Sequence, residues 1–187
     1  MLYRSKVFDE EQFLKTFNQL LDRHYNNPGV RNLSVADSSF DTWLDGYELG
    51  VPNRKSSIYT EGALITFILD VQIRRHSENK YSFDDVLIKF YHEYFKNKKG
   101  ISEKIYKAEV EHFAGVDLTE IFQQYINGTI DLSQLLLESM DYFGLILKRS
   151  PSDNYAEAYL GVKTNEETVI MVYPDSLAEQ CGLKRGD

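Results

Sequence analysis

The chain has 187 residues, enough for one domain with its own core or for one domain plus a small second unit. Its 42% hydrophobic and 27% charged residues exclude disorder as the main state. The net charge of −8 is spread along the chain and excludes the basic stripe that a nucleic-acid partner needs, while the longest uncharged apolar run, Ala63–Leu69, is closed by Asp70, short of the roughly 18 to 20 residues of a membrane helix, so no membrane partner is expected.

In chain order, Met1-Leu2-Tyr3-Arg4-Ser5-Lys6 has no apolar signal core, so no export signal is expected. Asp9, Glu10 and Glu11 then place acids in a first helical turn, and Phe13, Leu14, Phe17, Leu20 and Leu21 follow at helical spacing. Asn26-Asn27-Pro28-Gly29 stops that helix. Ser34 caps a short second helix carrying Phe40, Trp43 and Leu44, and Asp45 to Ser57, with Gly46, Gly50 and Pro52, reads as a long loop. A third helix starts near Ser57 and is apolar on almost every face up to Asp70, which predicts a central, buried helix. Asp70 and Arg74, four apart, can pair on it.

Ser82 with Asp85 forms a capping-box variant at the next helix, whose stripe is Phe83, Val86, Leu87, Phe90, Tyr91, Tyr94 and Phe95. Its basic tail closes at Gly100. Ser102 to Phe113 is a shorter helix ending at Gly115, and Asp117 and Asp131 each open another, with Gly128 and Gly144 as stops. After Gly144 the composition turns β-like. Tyr159 to Val162 and Thr168 to Tyr173 are short β-like runs, and Ser176 to Cys181 is one or two helical turns. The basic clusters Arg74-Arg75 and Lys96 to Lys99 fall at helix C-terminal ends, where cations suit the dipole. The 13 Tyr and 11 Phe suit a large helical core with wet edges or a cleft.

Little in the spacing points to chemistry. His92-Glu93 begins like the zinc pattern His-Glu-x-x-His, but its fifth position is Lys96, so the second ligand on that helix face is missing. His24, His76 and His112 lie near helix ends and read as residues answering the dipole. The single Cys181 excludes a disulfide framework and a Cys-based zinc knuckle, and does not fix a compartment. No Gly-x-Ser-x-Gly elbow or Gly-rich phosphate loop is present.

Two stretches carry a resemblance. Pro52-Asn53-Arg54-Lys55-Ser56-Ser57-Ile58-Tyr59-Thr60-Glu61-Gly62-Ala63-Leu64, followed by Leu69-Asp70-Val71-Gln72-Ile73-Arg74, resembles the glycyl aminopeptidase family of zinc metallopeptidases. In that family a Tyr-x-Lys-Gly-Ala element opens a buried helix ending in Leu-Asp-x-x-Ile-Arg. Ser82 to Val86, Gly115 to Leu118 and Tyr142 to Leu145 also match its later elements. The resemblance implies a mainly α fold over residues 1–143: the helical, bundle-like C-terminal half of a thermolysin-like aminopeptidase catalytic domain. It implies zinc in the full-length parent enzyme, held by a His-Glu-x-x-His helix and a downstream Glu that would precede Met1, and none held by this chain. The chain alone is then expected to be inactive. The implied substrate is a peptide with a small N-terminal residue. Tyr59 occupies the position of the Tyr that donates a hydrogen bond to the tetrahedral intermediate. Glu61 stands where Lys is usual.

The second stretch, Tyr173 to Asp187, resembles the start of a PDZ domain of bacterial peptidases, with Ser-Pro-Ala-x-x-Ala-Gly-Leu-x-x-Gly-Asp as its recurring pattern. Residues 144–187 are then a short, β-rich, incomplete PDZ-like segment. Leu160, Gly161 and Val162 would receive a peptide carboxylate through backbone amides. Incomplete strand pairing predicts a loosely ordered tail or self-association through unpaired strands. The alternative to the peptidase reading is a non-catalytic module that binds peptides through this tail.

Overall fold

Helix α3 (Ile58–His76) is the axis of the fold, and α1 (Glu10–Tyr25), α2 (Val35–Asp45), α4 (Phe83–Phe90), α5 (Glu103–Ala114) and α7 (Ser133–Tyr142) all pack against it. The structure, a computed structural model, describes residues 3–45, Val51 and residues 53–187; Met1, Leu2, residues 46–50 (with Gly46 and Gly50) and Pro52 lie outside the described residues. As the apolar run predicts, α3 is buried on several faces, through Leu64, Ile65, Ile68, Leu69, Val71 and Ile73. Phe17 and Leu21 of α1, Val86 and Phe90 of α4, Val110 of α5 and Leu136 of α7 close the core around it. Each such side chain contributes roughly 1.5 to 3 kcal/mol through burial.

The starts at Ser34, Ser57, Ser82 and Ser102 are those the sequence predicts. Asp9, expected in the first turn, is instead the N-cap of α1 and forms a reciprocal capping box with Gln12, while Leu118 and Leu132 stand at the N-caps expected to be Asp117 and Asp131. The Ser34 hydroxyl accepts from the Asp37 amide at 3.0 Å, and the Asp85 carboxylate accepts from the Ser82 amide at 2.8 Å. Gly115 closes α5 in the left-handed region, φ 72°. Helix α4 runs on into a π-helical turn at Tyr91–Phe95, and the short α6 (Thr119–Ile121) into another at Phe122–Ile126. Among the described residues no helix is long and apolar enough to cross a membrane.

Helix α2 forms where the sequence places it and turns its large apolar residues outward. Phe40, Trp43 and Leu44 are 75%, 82% and 82% exposed, while Ser38 is fully buried. The helix turns its small residue inward because Ser38 hydrogen-bonds Ser56, just ahead of α3, and its large residues outward.

After α7 the chain crosses the body, with Leu145 and Leu147 packed on the helical core. Two antiparallel strands follow, β1 (Val162–Asn165) and β2 (Thr168–Val172), joined by Glu166-Glu167 with Glu166 at φ 54°. Tyr159 and Leu160, expected in a strand, lie instead in a π-helical turn (Ala156–Leu160), because Asn154 caps the Ala156 amide at 2.9 Å and starts helical winding. Helix α8 (Leu177–Gln180) is capped by Ser176, and Ala178 closes a small core with Val162 and Val169. The Val169 amide donates to the Asp187 carbonyl at 2.9 Å and the Gly186 amide to the Val169 carbonyl at 2.8 Å, so the end of the chain covers part of the outer edge of β2.

Candidate active site

The first turn of α3 rests on a platform made by the end of α1, the 3-10 turn Pro28–Arg31 and α2. Gly29 lies so close to the strand-like approach that an added Cβ would sit 2.2 Å from the Lys55 carbonyl oxygen, so only glycine fits. The Asn32 side-chain amide donates to the Asn53 carbonyl at 2.6 Å. The Ser56 amide and hydroxyl lie 3.2 and 3.1 Å from the Ser38 hydroxyl. Ser57 then caps the helix, accepting from the Thr60 amide at 3.4 Å. Three separate contacts thus fix residues 53–57 before the helix begins.

On the turn so placed, Tyr59 and Glu61 point in opposite directions. Tyr59 is 66% exposed and Glu61 is 2% exposed. Residues two apart on a helix lie about 200° apart around its axis, so one faces out when the other faces in. Glu61 is hydrogen-bonded through Oε2 to His24 Nδ1 at 2.8 Å, and His24 is itself 4% exposed. This corrects the reading of His24 as a helix-end residue answering the dipole. It does lie in the last turn of α1, but its ring is turned inward onto a carboxylate of α3. The other Glu61 oxygen, Oε1, is buried with no hydrogen-bond partner among the described residues.

A cavity of about 330 Å³ opens beside this pair. His24 and Asn27 line it from α1 and its exit, Ser56 and Glu61 from the start of α3, Asp131 from the approach to α7 and Tyr173 from the tail. The Ser133 hydroxyl holds the Asp131 carboxyl below the ordinary carboxylate range, against partial burial and with help from the Ser133 amide. The tail residues singled out in the sequence sit elsewhere. Leu160 ends the π-helical turn, Gly161 is left-handed at φ 72° with its amide donating to the Glu157 carbonyl at 3.2 Å, and Val162 is buried in the small tail core. They do not line the cavity, and the structure does not join them to Tyr59 in one site.

The His24–Glu61 pair is not visible in the sequence. The two residues are 37 positions apart, and no local pattern ties a histidine at one helix end to an acid at the start of another. Among the described residues no three His, Cys, Asp or Glu side chains are grouped to hold a metal ion.

The M61 glycyl aminopeptidase family model matches residues 1–65, a stretch that includes His24, Tyr59 and Glu61. No curated protein matches the chain. Among solved structures, an aminopeptidase N family protein from Idiomarina loihiensis is similar, with a TM-score of 0.82 and 27% identity. That match covers 99% of this chain and 34% of the other, so the chain spans about a third of that protein's length. The family model and the shared fold together support the glycyl aminopeptidase family for this chain.

Proposed function

We propose that the chain is the helical, C-terminal part of the catalytic domain of a zinc-dependent aminopeptidase acting on peptides with small N-terminal residues. It supplies one wall of the cleft and the Tyr59 phenol, and by itself it is inactive. The observation that carries this reading is the placement of Tyr59. It is a solvent-facing phenol on the first turn of a buried helix, within the stretch that the peptidase family model matches. A phenol held there can donate its proton in a hydrogen bond to an oxygen on which negative charge develops as the scissile carbonyl becomes tetrahedral. The rigid helix behind it keeps the donor oriented, so little reorganisation is needed when charge appears. The metal, bound by residues of the parent enzyme outside this set, would supply the activated water and polarise the carbonyl.

Residues 144–187 are read as an appended PDZ-like module, with Leu160, Gly161 and Val162 as its candidate peptide-facing segment. The left-handed Gly161, the Ser176 cap and the Ala178 packing support that part of the reading.

The test uses the enzyme that contains this chain together with its zinc-binding part. Replacing Tyr59 by Phe removes one hydroxyl and keeps the ring. We expect kcat to fall about 100-fold or more with KM little changed, in line with loss of one oxyanion donor. Unchanged kcat removes Tyr59 from the mechanism.

A further inference from the structure

We infer that His24 and Glu61 are positioning residues for the Tyr59 phenol, an inference that rests on the catalytic reading of Tyr59 above. The geometry is one turn of helix held from behind. Glu61 is buried at 2% exposure and Tyr59, two residues before it, is 66% exposed, so the turn presents the phenol on one side and is gripped on the other. The grip is the 2.8 Å hydrogen bond between Glu61 Oε2 and His24 Nδ1 of α1.

Other contacts near the turn do a different job. The approaches of Gly29 to Lys55, Asn32 to Asn53 and Ser38 to Ser56 fix where residues 53–57 run. All of them act ahead of the helix. Within the helix, the Ser57 cap and the main-chain bonds of α3 tie the first turn to the rest of α3. The His24–Glu61 bond adds a directional link from α1 to the turn that carries Tyr59.

Stability is a poor explanation of the pair. Replacing both partners of a buried hydrogen bond with apolar groups of similar shape is often nearly neutral or stabilising. An acid in the first turn does gain from the helix dipole, but an exposed acid would gain it without the burial.

The experiment compares four variants. Glu61→Leu and His24→Leu remove the directional bond and keep bulk. Glu61→Gln and His24→Asn keep a polar atom where Oε2 and Nδ1 stand. In the zinc-containing enzyme, Glu61→Leu and His24→Leu are expected to lower kcat by up to about 100-fold while KM stays within about twofold, as for a reacting group displaced by about 1 Å. Glu61→Gln and His24→Asn are expected to recover most of kcat. In parallel, the present chain is labelled with 3-fluorotyrosine, and the Tyr59 resonance is assigned by its loss in Tyr59→Phe. The leucine variants should shift or broaden that resonance, and the polar variants should leave it near its original place.

Folded leucine variants with unchanged kcat and an unmoved Tyr59 resonance overturn the inference. So does an equal loss in all four variants, which marks a general packing role. If the leucine variants fail to fold, the polar pair decides. A kcat and resonance near those of the parent support the inference, and a loss as large as that of Tyr59→Phe overturns it. The functional reading fails separately, if Tyr59→Phe leaves turnover intact. The fluorine resonance then still reports whether the pair orients the phenol.

Discussion

Asp70 shows how one buried carboxylate can order three segments. Its side chain accepts from Arg4 Nη1 at 2.9 Å, from Arg74 Nε at 3.0 Å and, through its other oxygen, from the Phe83 amide at 2.7 Å. The first ties the N-terminal segment to α3, the second lies within α3, and the third seats the first residue of α4. Arg4 also reaches Asp84 at 2.6 Å, and that bond, more than burial opposes it, holds the Asp84 carboxyl below its ordinary range. Removing the Asp70 carboxylate takes this acceptor from the Arg74 guanidinium and the Phe83 amide and leaves Arg4 with Asp84. Asp70→Ala is therefore expected to cost about 2 to 4 kcal/mol in urea unfolding, a loss that persists in high salt. Arg4→Ala is expected to cost less, about 1 kcal/mol or under, and the loss should shrink in 1 M salt because Arg4 is about a third exposed. Equal losses with equal salt sensitivity would contradict this division of roles.

At the scale of elements, Gly161 lies where the turn before β1 meets the cap of α8. It is left-handed, at φ 72°, and an added Cβ would lie 2.3 Å from the Ser176 Cβ. Gly161→Ala thus meets a backbone cost of about 1 to 2 kcal/mol and a steric clash at the cap of α8. The expected outcome is faster hydrogen exchange at Val169 and Met171, with Ile68 in α3 unaffected. Faster exchange at both places would mean that tail and body unfold as one unit. The elements also show what a sequence reveals. The helix starts at Ser34, Ser57, Ser82 and Ser102 were legible because a cap is decided by residues three apart. The burial of α3 was legible because nearly every face of it is apolar. The outward turn of Phe40, Trp43 and Leu44 was not, because the Ser38–Ser56 contact that sets the face of α2 lies 18 residues apart. The winding at Ala156–Leu160 was hidden for a different reason: Tyr and Leu there suit a strand, and one Asn cap outweighed that propensity. The candidate site divided along the same line. Tyr59 could be singled out from its local motif, whereas the His24–Glu61 pair behind it exists only once α1 lies across α3.

Across the whole molecule the two cores differ greatly in size, and acid should separate them. The tail core has three buried residues, Val162, Val169 and Ala178, against the large aliphatic and aromatic core around α3. The tail relies instead on Glu157. Its carboxylate accepts from Lys163 Nζ at 2.9 Å, the Ser152 hydroxyl at 2.9 Å and the Tyr173 phenol at 2.9 Å. The same phenol oxygen lies 2.9 Å from Asn26 Oδ1 at the end of α1. A phenol has one proton, and the charged carboxylate is the stronger acceptor, so Glu157 is the main partner. Burial alone would raise the Glu157 carboxyl, but the bonds from Lys163, Tyr173 and Ser152 outweigh it and hold it below its ordinary value. A carboxyl lowered in the folded state stabilises that state above the unfolded value, about 4.3 for Glu, and the contribution disappears as pH falls through the folded value. Below pH 4, then, the turn at Ala156–Leu160 should lose its anchor while α3 remains packed. Followed by NMR, the Val162 and Val169 methyl signals should report loss of tail order at a higher pH than the Ile68 and Leu69 signals report loss of the body. Glu157→Gln should weaken the tail at neutral pH and flatten its pH dependence below about 4.3, the unfolded value. A single acid transition shared by both sets of methyls, unchanged in Glu157→Gln, would show instead that the helical body sustains the tail and that Glu157 does not.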